Sequence, residues 1–78
     1  MSILTINKSK FATGLSFTDT KMIVQFEDGR ELSVPLEWFK KLRNAPKEQL
    51  ENWRFIGRGE GIHWEELDED ISVEKLLE

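Results

Sequence analysis

Hydrophobic and polar positions alternate with a period of two from Leu15 to Val34, then change to a spacing of three. Leu15 and Phe17 alternate with Ser16 and Thr18. Met22, Val24 and Phe26 share one face of the next segment, and Leu32 and Val34 alternate with Glu31 and Ser33. Such alternation marks half-buried strands, because successive side chains of an extended chain point to opposite faces. Asp19-Thr20 and Glu27-Asp28-Gly29-Arg30 separate the three segments. An Asp-Gly pair suits a tight hairpin, since glycine enters the positive-φ region without steric cost. The pattern predicts a three-stranded antiparallel meander. Ahead of it, Met1 to Lys10 begins apolar at Ile3, Leu4 and Ile6 and reads as an edge strand or an arm.

Pro35 stops the third strand because it has no N–H to give to a ladder. Leu36, Phe39 and Leu42 follow at i, i+3 and i+6, with Trp38 beside them and Lys40, Lys41 and Arg43 elsewhere on the wheel. That spacing predicts a short amphipathic helix with cations toward its C-terminal end, where the helix dipole favours them. Asn44-Ala45-Pro46 breaks it, and Pro46 opens a second helix carrying Leu50 and Trp53. Phe55-Ile56, Gly57-Arg58-Gly59-Glu60-Gly61 and Ile62-His63-Trp64 then predict a second hairpin or a bulged strand. Ser72 reads as the N-cap of a closing turn of helix over residues 73–77, although Lys75 stands where a capping box carries Glu or Gln. The predicted fold class is α+β: an antiparallel β-meander followed by short helices, a second short β segment and a C-terminal helical turn.

Composition narrows what such a fold does. Seventy-eight residues make one domain, and the 38% that are apolar are nearly all needed for its core, leaving little room for a deep substrate cavity. The chain has no Cys and one His, which excludes disulfides, thiolate nucleophiles, Cys-ligated zinc and any two-His scheme. No apolar run approaches the ~20 residues of a membrane span and no signal peptide opens the chain, so a cytoplasmic protein is expected. No acid, base or nucleophile arrangement emerges, and neither an enzyme nor a cofactor is expected.

Charge is unevenly placed. Residues 1–46 carry seven Lys/Arg against five Asp/Glu, and residues 47–78 carry four against ten. Six of those ten acids are Glu60, Glu65, Glu66, Asp68, Glu69 and Asp70. This field repels phosphate backbones and attracts basic surfaces; a merely solvated acidic face is the plain alternative. Gly57 to Gly61 lacks the spacing and the following helix of a phosphate cradle, and a glycine turn or bulge accounts for it. His63 with the nearby carboxylates lacks the pattern of a calcium loop or a transition-metal site, so no metal is expected. Lys40, Lys41 and Arg43 interleave with Phe39 and Leu42 as nucleic-acid readers do, but three cations are few. Three Trp in so small a domain leave two readings: all three wedged between sheet and helices with one edge wet, or one exposed as an interface anchor, since Trp and Arg are enriched at binding hot spots. Trp64 with Arg54 or Arg58 is the expected anchor.

The residues also carry a likeness. Phe26-Glu27-Asp28-Gly29-Arg30, Val34-Pro35-Leu36-Glu37-Trp38-Phe39, Trp53-Arg54-Phe55-Ile56 and the block from Gly57 to Trp64, followed by Leu67-Asp68-Glu69-Asp70-Ile71-Ser72 and Leu76-Leu77, resemble the bacterial family known as domain-of-unknown-function 2442. The resemblance runs from roughly Leu15 to the C-terminus. It implies a small α+β unit and assigns no catalytic residues. It further implies two settings: members encoded beside a small toxin-like protein, proposed to act as the antitoxin, and members fused to a helix-turn-helix DNA-binding domain. This chain ends at Glu78 just after the family domain, so no such reader is expected.

The expected function is a non-enzymatic protein-interaction module, antitoxin-like or regulatory. It would present Arg54, Arg58, Glu60, Trp64, Glu65, Glu66, Asp68, Glu69 and Asp70 to a protein partner, such as a basic toxin-like neighbour. Two alternatives are a nucleic-acid-associated transcriptional regulator working through Lys40, Lys41 and Arg43, and a small-molecule or anion sensor around Gly57 to Gly61. Edge pairing leaves a homodimer open.

Overall fold

Strands β1 (Ala12–Phe17), β2 (Lys21–Phe26) and β3 (Glu31–Pro35) form an antiparallel sheet in the order β1-β2-β3, in a computed structural model that describes residues 11–77. The stretch from Met1 to Lys10, read above as an edge strand or an arm, lies outside the described residues. The register places Leu15, Val24 and Leu32 side by side, and Phe17, Met22 and Val34 likewise. These are the apolar positions of the period-two pattern, and they share the face that meets the core. Gly29 takes φ 95° in the second turn. Asp28 fixes that turn by accepting from the Arg30 N–H and, with Oδ2, from Arg30 Nε at 2.8 Å.

The segment after Pro35 is not the single helix its spacing predicts. A 3₁₀ turn covers Leu36–Trp38, Phe39 is extended at φ −130° and ψ 96°, and helix α1 (Lys40–Arg43) begins only after it. Leu36, whose N–H donates to the Thr20 carbonyl, and Leu42 are both buried, one on each side of the break. Helix α2 (Lys47–Leu50) follows Pro46 and stops at Leu50. Trp53 therefore belongs to the next strand, not to this helix.

Strands β4 (Trp53–Ile56), β5 (Gly61–Trp64) and β6 (Glu69–Ser72) make a second antiparallel meander in sequence order. The glycine link is a hairpin turn, with Gly57 at φ 64° and Gly59 at φ 92°. Helix α3 (Val73–Leu76) closes the chain, and its first turn is capped by the Ser72 hydroxyl accepting from the Lys75 N–H. β6 was not evident in the sequence, where residues 68–70 read as a run of solvated acids. Its pairing with β5 turns Glu69 and Asp70 into strand residues opposite Trp64 and His63.

Both sheets, both middle helices and α3 contribute to one hydrophobic cluster. Met22, Val24, Val34, Leu42, Ile62, Trp64 and Val73 are fully enclosed in it. The 57–60 turn also ties the halves together through backbone, Gly59 accepting from the Ala12 N–H of β1 at 2.9 Å, while within the second half Glu60 accepts from the Val73 N–H of α3 at 3.0 Å.

Candidate functional site

The pleat of the second sheet sorts its residues into two chemistries. Phe55, Ile62 and Ile71 lie side by side in register, and two residues away on the same face stand Trp53, Trp64 and Glu69. The opposite face carries Arg54, His63 and Asp70 as one cross-strand row. His63 Nδ1 is in hydrogen-bond contact with Asp70 Oδ1, and its Nε2 lies 3.4 Å from Glu65 Oε1. The Asp70 hydrogen bond holds the imidazole pKa above its ordinary 6.5, with the Asp70 and Glu65 charges adding to it; partial desolvation and the Arg54 charge pull the other way. Two of the six clustered carboxylates thus converge on the lone histidine.

The acidic β5–β6 turn, residues 65–68, is itself pinned. Asp68 adopts a left-handed φ of 51°, a conformation that Asp tolerates better than most residues. Lys41 Nζ donates to the Asp68 carbonyl at 3.1 Å, and Asn52 Nδ2 donates to Glu66 Oε1 at 2.9 Å. Glu65, Glu66, Asp68 and Asp70 remain exposed, while Glu69, on the inner face, is half-buried. Glu60 serves the glycine turn by accepting from the Arg58 N–H at 3.3 Å. A carboxylate of the chain itself thus accepts from the backbone of that turn.

Trp64 is not a surface anchor. It is fully buried, and its indole N–H donates to the Leu50 carbonyl at 2.8 Å; its place on the inner face of β5, against the helices, takes it out of reach of a partner. Arg58 turns its guanidinium over the Phe11 ring, 4.9 Å from the centroid. Arg54 stays in that row as the neighbour of His63. Of the three cations in the alternative nucleic-acid set, Lys41 is engaged with Asp68 and Arg43 lies 4.0 Å from Glu37.

The indole at the surface is Trp38, 68% exposed at the end of the 3₁₀ turn. It stands on the rim of a groove of about 310 Å³ lined also by Phe39, Asp70, Ile71, Ser72, Lys75 and Leu76. The groove runs between the 3₁₀ turn and the β6–α3 junction, and Asp70 belongs both to it and to the His63 pair. Sequence reasoning missed this site for want of two facts. The apolar set at 36, 39 and 42 leaves Trp38 out, which was the one available signal, and the unforeseen β6 is what brings Asp70 and Ile71 beside it.

Among the described residues, no group of three or more metal-ligating side chains is assembled, and no helix is long and apolar enough to cross a membrane. Two three-stranded meanders around a shared core, bridged by short helices, define a small α+β domain with an open groove. Residues 12–78 match the model of the family described as "Protein of unknown function (DUF2442)". The chain belongs to that family. It is also similar to a protein of unknown function from Rhodospirillum rubrum ATCC 11170 whose crystal structure is solved: 30% identical, a TM-score of 0.74, covering 86% of this chain and 83% of that one. No curated protein matches the chain.

Proposed function

We propose that the protein is a non-enzymatic docking module that binds a cationic protein partner, as an antitoxin-like or regulatory subunit does. The observation that carries this reading is Trp38, an indole 68% exposed at a largely apolar groove that the exposed Asp70 carboxylate also lines. Large aromatic side chains are costly to leave in water and supply much of the energy of protein interfaces. The neighbouring acids select a positive surface and speed its approach without adding much affinity on their own. The uneven charge along the chain supports the same choice of partner.

Co-expression with the product of the adjacent gene tests it. A complex that survives purification at low salt, weakens steeply with added salt and is lost in Trp38→Ala supports the reading. No association at low salt, or a complex indifferent to both salt and Trp38→Ala, overturns it.

A further inference from the structure

Three properties meet in the Trp38 groove. The indole offers an open face, Phe39, Ile71 and Leu76 line the space beside it, and the Asp70 side chain, 68% exposed, stands on the rim. Asp70 Oδ1 is held by His63, and Oδ2 has no partner among the described residues. We propose that the groove receives a single guanidinium group, an arginine side chain of the docked protein laid on the Trp38 indole with its fork directed to Oδ2 of Asp70. This inference rests on the docking reading and names the group recognised.

The chemistry favours arginine over lysine. A guanidinium is planar and weakly hydrated, stacks on an aromatic face and presents forked donors to a carboxylate, whereas an ammonium is a compact, strongly hydrated point charge. Lys75 on the α3 side of the same groove sets a like charge against any cation that enters, which disfavours a basic run and leaves the stacked, weakly hydrated guanidinium as the cation the site tolerates best. The groups facing His63 add a signature. Asp70 from β6, Glu65 from the β5–β6 turn and Arg54 from β4 surround the imidazole, and a guanidinium on Asp70 competes with the imidazolium for that carboxylate. Binding therefore strengthens as His63 loses its proton, and by linkage the bound cation eases that loss.

Titration of the isotope-labelled chain with a blocked Gly-Arg-Gly peptide, and with the citrulline peptide of the same shape but no charge, tests the assignment by NMR. The arginine peptide is expected to shift the Trp38 indole N–H and the His63 ring signals with a Kd on the order of millimolar, as suits one exposed contact pair. Affinity should fall about fivefold or more with citrulline, in Asp70→Asn, and on going from about pH 8 to about pH 6. Trp38→Phe, which keeps an aromatic face, should bind more weakly but measurably, and the remaining amide signals report that each variant is folded. Equal response to citrulline, an unchanged response in Asp70→Asn, or no response up to tens of millimolar overturns the proposal. If the neighbour's complex forms and the peptide is inert, the guanidinium site fails alone. If the peptide binds as described and no complex forms, the docking reading fails alone.

Discussion

Trp38 and Trp64 have the same side chain and opposite consequences for substitution. Trp64 is enclosed and hydrogen-bonded to the Leu50 carbonyl, so Trp64→Phe both leaves a cavity and strands a buried acceptor. Its expected cost is about 2–4 kcal/mol in urea unfolding, against about 0.5 kcal/mol or less for Trp38→Phe, whose ring faces water. Equal effects of the two would contradict the placement of either indole. His63 supplies a prediction in pH. Its folded pKa is raised above the unfolded 6.5, first by the Asp70 hydrogen bond and then by the carboxylate charges. The stabilisation is thus full below about pH 6.5 and is lost as pH rises through the raised folded value. In thermal melts across that window, the wild-type chain should lose stability that His63→Gln and Asp70→Asn do not lose; parallel pH profiles for all three would refute the pairing.

At the level of elements, the glycine turn matters through one residue more than through its composition. A Cβ on Gly59, at φ 92°, would overlap the carbonyl oxygen of Ala12, where β1 and the β4–β5 turn exchange a hydrogen bond. Gly29, at φ 95°, has open space around the same position. Gly29→Ala is expected to cost about 1–2 kcal/mol from backbone conformation alone, and Gly59→Ala clearly more, because neither backbone can yield without parting the halves. Chemical denaturation of the two variants side by side decides this, and similar costs would show that the junction is soft. The first meander and the Ser72 cap were legible because alternation, the Asp-Gly turn and a capping hydroxyl are local signals. The break at Phe39 and the existence of β6 were not. Phe39 becomes extended to satisfy packing on both sides of it, and β6 has a single inward apolar residue, Ile71, inside an acidic stretch whose partner strand supplies the pattern.

For the whole molecule, a single apolar cluster drawn from both sheets and all the helices implies cooperative unfolding. Neither three-stranded sheet keeps its inner face covered without the other. Far-UV circular dichroism and tryptophan fluorescence, the latter weighted toward Trp64 and Trp53 in the second sheet, should report one coincident transition. Separated transitions would mean that the halves are independent units. The same shared core fixes the surface, because covering it with the 3₁₀ turn and α3 leaves the Trp38 groove open between them.

The sequence by itself determined the α+β class, the order of the strands before the first helix, the glycine turns and the sign of the charge on the C-terminal half. Each of these is set by neighbours a few residues apart, through side-chain alternation, steric limits on φ and formal charge. Which indole faces water, which carboxylates His63 binds, and the meeting of Trp38 with Asp70, 32 positions apart along the chain, were decided only by the tertiary structure. Those are contacts between elements distant in sequence, and burial in the common core, not local propensity, selects among them.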